Sequence, residues 1–289
     1  MSPTEGPGQR AATASGIPSP SAGPPALEAQ DTPAGGTREE RPTFDERPPV
    51  DPLHAERVAA QCLDPASPLA EEFRLLRSRV RALDGLRPLR TVGVVSTGAG
   101  EGRSTVALGL ASALAWERRS VLLVEGDLRA RGLERRLGLT SGPGLIEWLQ
   151  TSRSPIPVHR LGRFGPCVLP AGVARLDETE LFASPRMIEL VEASRRSFDW
   201  VVVDAGPLLG SADTIALQDV LDGFLCVVRA GTTPKARLRR ALTAVKAECV
   251  RGMVLNDHRE FFTRSEAAPV QGRLQERRKL DSRGRESLG

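Results

Sequence analysis

Val92-Gly93-Val94-Val95-Ser96, running without a break into Thr97-Gly98-Ala99-Gly100-Glu101-Gly102-Arg103-Ser104-Thr105, decides the fold class of this chain. The first five residues are dominated by β-branched valine, with no charge, as a strand buried on both faces requires. Three glycines and no proline follow, and then Val106, Leu110, Ala111 and Leu114 recur at helical spacing. Strand, glycine-rich loop and helix in that order gather inward-turned backbone N–H groups and the positive end of a helix around one point. An anion is what that arrangement holds.

Residues Gly98, Ala99, Gly100, Glu101, Gly102, Arg103, Ser104 and Thr105 are therefore the candidate phosphate-binding residues. The Ser104 hydroxyl at the loop's end is suited to ligate Mg2+ beside a bound nucleotide such as ATP. With Gly98 and Gly102 taken as the two glycines, the loop follows the P-loop pattern of Gly, four residues, Gly, Lys and Ser/Thr. Arg103 stands where the lysine belongs. A guanidinium is planar and bulkier than an ammonium, so phosphate binding is expected to survive while phosphoryl transfer is expected to suffer. A dinucleotide-binding fingerprint fits less well, because the GxGxxG spacing is not kept.

Outward from the loop, further apolar runs read as strands at Ser120 to Glu125, Cys167 to Leu169, Trp200 to Asp204, Phe224 to Arg229 and Gly252 to Asn256. Helical patterns separate them. Ser184 and Pro185 read as N-cap and first position of one helix, and Pro234 opens another through Leu238, Ala241, Leu242 and Val245. Alternating strands and helices predict an α/β fold of the P-loop NTPase type, a mostly parallel sheet with helices on both faces in three layers. Two strands end in acids, Glu125-Gly126-Asp127 and Val203-Asp204, at the carboxyl ends where open α/β sheets bind ligands. Arg103, Glu125, Asp127 and Asp204 are the candidate catalytic residues, and Ser104, Asp127 and Asp204 the candidate metal ligands, since magnesium prefers oxygen donors.

The whole chain, 289 residues with 40% hydrophobic and 26% charged side chains, is long enough for one large domain and excludes a fibrous or wholly disordered protein. Its 40 Lys+Arg against 36 Asp+Glu leave +4, too even a balance to suggest a nucleic-acid partner. Cys62, Cys167, Cys226 and Cys249 lie far apart, which argues against a zinc site or a disulfide framework. Ten of the 23 prolines fall within residues 1–49, so 1–50 is expected to be a disordered tail, 51–262 the folded domain and 263–289 a basic disordered tail. Without an apolar leader or a run of ~20 apolar residues, a cytoplasmic location is expected. No tyrosine occurs anywhere in the chain.

On these motifs the chain resembles the bacterial tyrosine kinases, specifically the cytoplasmic CpsD/CapB type of P-loop ATPase. Glu125-Gly126-Asp127-Leu128-Arg129 looks like the family's Walker A′ element, usually DxDxR, with glutamate for its first aspartate. Val202-Val203-Asp204-Ala205-Gly206-Pro207 looks like its Walker B, and Asp213 also matches. Upstream, Glu71, Arg74 and Arg77 match the ExxRxxR element, which mediates ring-like self-association in the family.

The resemblance implies ATP and Mg2+ as cofactors, Asn256 beside the adenine, homo-oligomers built through Glu71, Arg74 and Arg77, and a membrane polysaccharide copolymerase as partner at the inner face of the membrane. It implies regulation of exopolysaccharide biosynthesis or export. The usual C-terminal tyrosine cluster is missing, so autophosphorylation on tyrosine is excluded for this polypeptide and tyrosine kinase activity is expected only in trans. Two other classes are kept beside this one. A ParA/MinD-type partition or positioning ATPase carries a signature lysine early in the loop, where this chain has Gly98; a catalytically dead ATP-binding scaffold would explain Arg103 and Glu125.

Overall fold

Along Trp200-Val201-Val202-Val203, alternate side chains enter two separate cores, Trp200 and Val202 on one face of a sheet, Val201 and Val203 on the other. This period of two, with all four residues buried, is the mark of a strand covered on both sides. The computed structural model describes residues 42–51, 55–83, 88–139, 142–151, 155–173 and 181–258. Its strands are β1 (Phe44–Val50), β2 (Thr91–Ser96), β3 (Val121–Glu125), β4 (Ile156–Leu161), β5 (Cys167–Leu169), β6 (Trp200–Pro207), β7 (Gly223–Arg229) and β8 (Val250–Asn256). Its helices are α1 (Arg57–Leu63), α2 (Pro68–Leu83), α3 (Arg103–Ala115), α4 (Gly132–Leu137), α5 (Leu145–Thr151), α6 (Pro185–Ser197), α7 (Ala212–Ala216) and α8 (Lys235–Leu242).

The strands form one sheet in the order β1-β4-β5-β3-β6-β2-β7-β8, parallel except where β4 runs against β5. One core joins α1 to α4 to the sheet, and the other joins α5 to α8 to the opposite face. The expected three-layer α/β P-loop fold is what forms. Helix α3 is buried on nearly every side, because α1 and α2 cover the flank that the sheet does not. Its apolar Ala, Leu and Val composition meets that requirement.

Two strands escape the sequence reading. Phe44–Val50, assigned on composition to the disordered tail, pairs with β4 from Phe44↔Ile156 to Val50↔Leu161. Its Pro48 and Pro49 are tolerated because β1 is an edge strand and the two fall where its pairing with β4 lapses, the register shifting between Arg47 and Val50. The rest of the expected N-terminal tail, residues 1–41, and the expected basic tail, 263–289, lie outside the described residues. Ser184 does sit at the N-cap of α6 with Pro185 following, but its hydroxyl donates to the Leu181 carbonyl and does not cap the helix. No helix among the described residues is long and apolar enough to cross a membrane.

Candidate nucleotide site

Central strand β2 lies between β6 and β7, so the loop that leaves it emerges beside the carboxyl ends of both. Gly100 and Gly102 take φ of +79° and +96°, which side-chain-bearing residues rarely adopt. The amides of Ala99, Gly100, Glu101 and Gly102 have no hydrogen-bond acceptor among the described residues. Four successive open donors at the start of α3 form a cradle for an anion.

Three residues separate Gly98 from Gly102, so the four-residue spacing of the phosphate loop runs from Thr97, and the assignment of Gly98 as its first glycine is corrected. Thr97 accepts that place because its amide and hydroxyl donate to the Glu101 carboxylate at 2.8 and 2.6 Å. Glu101 also accepts from the Thr233 hydroxyl at 2.7 Å and, at 3.4 Å, from the Gly98 amide. Burial opposes its ionised form, but the bonds from Thr97, Thr233 and Gly98 prevail and hold the carboxyl below its usual range. Thus Glu101 buttresses the loop through its side chain and offers the cradle only its amide.

Gly98 has no positive φ; its missing side chain makes room for a neighbour. A Cβ there would lie 2.1 Å from Nη2 of Arg237, on α8. On the other flank, Asn256 donates from Nδ2 to the Glu101 carbonyl at 3.0 Å, and a Cβ on Gly102 would meet that amide at 2.0 Å. Asn256, expected beside adenine, thus also clasps the loop. A cavity of about 790 Å3 opens next to it, reaching Gly100, Gly102 and Thr105 and walled by Phe73, Val106 and the half-exposed Met253 and Leu255. Its lining mixes these apolar side chains with the charged Glu72, Arg79, Arg229 and Asp257, a combination of apolar surface and polar groups that suits a nucleobase.

The carboxylates converge on the opposite side. Adjacent strands pair Glu125 with Asp204, and both side chains are fully buried. Glu125 accepts from the amides of Leu133 and Glu134 through Oε2, leaving Oε1 unpartnered. Burial and then the Asp204 charge push its carboxyl well above the usual range. Burial lifts Asp204 to about 6, against the pull of the Ser104 hydroxyl and the Arg103 guanidinium. Ser104 is close enough to exert that pull, yet neither Asp204 oxygen receives a bond of good geometry.

Two orphaned, fully buried oxygens next to a hydroxyl call for a cation, because an unpartnered buried carboxylate is costly. Ser104 and Asp204 therefore fit magnesium. Among the described residues no group of three or more His, Cys, Asp or Glu could hold a metal by itself. Magnesium needs no such cage; it is commonly held by one or two carboxylates, waters and phosphate oxygens.

Asp127 and Arg103 stand differently from expectation. Arg103 is 8% exposed and binds Asp127 Oδ2 and the Ala205 carbonyl, each at 2.8 Å. Asp127 spends its other oxygen on the Ala130 amide. Arg103 and Asp127, expected to serve phosphate and metal, are paired with each other. On α2, Arg77 binds Glu117 and the Ala113 carbonyl, and Arg74 binds Glu71 and the Pro65 carbonyl. Of that trio Glu71 is the most open, its side chain 79% exposed. Thr233 and Arg237 escaped the sequence reading, although Thr232-Thr233-Pro234 directly after a strand's carboxyl end was the available signal.

No family model matches the chain. It is 33% identical over 197 residues to the succinoglycan biosynthesis transport protein ExoP of Rhizobium meliloti, covering 66% of this chain and 25% of ExoP. The chain thus spans about a quarter of that relative's length. It is 31% identical over 211 residues to the tyrosine-protein kinase YwqD of Bacillus subtilis, covering 68% of this chain and 87% of YwqD. Among solved structures, the kinase domain of VpsO superposes with a TM-score of 0.57 at 26% identity, over 64% of this chain and 96% of that domain.

Proposed function

The chain belongs to the bacterial tyrosine kinase family, and from that premise we propose that it binds ATP with Mg2+ and acts in exopolysaccharide production beside a membrane copolymerase. The observation that carries the reading is the run of four amides from Ala99 to Gly102 and the buried Asp204 across from it, all without hydrogen-bond partners among the described residues. In this reading the amides hold phosphate oxygens, Ser104 and Asp204 hold the magnesium, and the cavity beside Asn256 takes the base. Magnesium supplies neutralisation of phosphate charge when bound. Glu125, whose ionised form burial and the Asp204 charge disfavour, holds the amides at the start of α4 through Oε2.

With no tyrosine in the chain, any tyrosine acceptor belongs to another polypeptide, and phosphoryl transfer runs in trans on the cytoplasmic side of the membrane. ExoP, named for succinoglycan transport, supports the pathway. Self-association through Glu71, Arg74 and Arg77 is part of the same proposal. Calorimetric titration with ATP, with and without Mg2+, tests the reading: a Kd in the micromolar range that tightens with the metal is expected, and no binding at millimolar ATP removes it.

A second reading, an ATP-binding scaffold without chemistry, is favoured by one observation, the Arg103–Asp127 pair. The same preparation separates the two. Phosphate incorporation into a tyrosine-bearing polypeptide supports the kinase, whereas binding without transfer supports the scaffold.

A further inference from the structure

Arg103 holds the place of the phosphate-loop cation, yet its guanidinium is committed to Asp127 and Ala205. A polyphosphate in the cradle would bring several negative charges, and the amides alone supply only partial ones. Another cation is already at hand. Arg237 lays its guanidinium against Gly98, is exposed, and has no ion pair or hydrogen bond among the described residues.

Its placement is built in. Thr233, in the turn between β7 and α8, donates to Glu101 in the loop and accepts from the Arg229 amide. That tether ties the start of α8 to the loop itself, and Arg237 follows one helical turn later. Glycine at position 98 leaves the space that the guanidinium enters. A side chain there would have displaced it, which gives Gly98 a role its backbone angles do not.

We infer that Arg237 is the working phosphate cation of this site, contacting the ATP phosphates from the α8 side of the loop in place of the diverted Arg103. The inference rests on the ATP reading above and assigns it a residue outside the motifs. Guanidinium groups bind phosphate oxygens through paired, charge-assisted hydrogen bonds, so a side chain poised over the loop needs only a rotamer adjustment to engage.

The test is calorimetric titration of the full chain with Mg-ATP at low and moderate salt, for the wild type, Arg237→Gln, Arg237→Lys and, as a control on the same helix, Arg239→Gln. Arg237→Gln is expected to weaken ATP roughly tenfold and to flatten the salt dependence, because one screened charge contact is lost. Arg237→Lys is expected to keep part of the affinity, and Arg239→Gln all of it. Melting curves check that each variant folds. Unchanged affinity and salt dependence in Arg237→Gln, with the wild type binding normally, overturn the role of Arg237 alone; a wild type that binds no ATP overturns the nucleotide reading and this inference with it.

Discussion

Asp204 is the residue at which structure and chemistry conflict most openly. Its carboxyl is fully buried, both oxygens lack a hydrogen-bond partner among the described residues, and burial raises its pKa from 3.8 to about 6. Since the folded value lies above the unfolded one, the unfolded chain loses this proton first as pH rises. The contribution of Asp204 to stability therefore falls between pH 3.8 and about 6 and stays reduced above. Asp204→Asn removes the charge, and the variant is expected to be more stable than the wild type at pH 8 by about 2–3 kcal/mol, with a smaller gain at pH 5. Paired denaturant titrations at the two pH values measure this, and a gain independent of pH contradicts it. Such a cost, retained in a folded protein, suits a group whose partner arrives with the ligand.

At the scale of elements, α2 and α3 pack closely beside the cavity at the loop. Gly109 sits in the middle of α3, where glycine costs about 1 kcal/mol relative to alanine. The Phe73 ring of α2 explains it: a Cβ on Gly109 would fall 2.1 Å from that ring. Gly109→Ala is thus expected to lower stability by about 1–3 kcal/mol despite its better helix propensity, through overpacking. Phe73→Leu in the same chain should recover part of the loss, and urea denaturation reads both. Since Phe73 and Val106 also wall the cavity, the contact that locks two helices shapes the space offered to the base.

Across the whole molecule, the sheet extends one strand beyond where composition places the domain's start. Phe44 packs edge-on against Phe198 at 5.1 Å between ring centres, and β1 pairs with β4 along most of its length. A chain begun at residue 51 is expected to melt at least about 5 °C below one begun at residue 42, because it exposes the edge of β4 and the Phe198 ring. Equal melting temperatures would show that the first strand adds nothing.

The strands β2, β3 and β6, the glycine loop and the strand-end acids were legible in sequence because each is a local pattern: a run of buried residues, a turn chemistry, a carboxylate at an expected offset. β1 and β4 were not, since Phe44–Val50 carries two prolines and three charges, and Ile156–Leu161 mixes proline, histidine and arginine into a short run. Their pairing stabilises them, not their propensity. Partnership was equally hidden. That Arg103 binds Asp127 and that Arg237 lies over Gly98 depends on residues 24 and 139 positions apart meeting at the carboxyl edge of the sheet. Periodicity and turn residues act over a few positions, so the sequence by itself determined the layers and the existence of a phosphate loop. Which cation faces that loop, and which carboxylate stays unpaired, was decided by strand order, because only the assembled sheet sets distances between its ends.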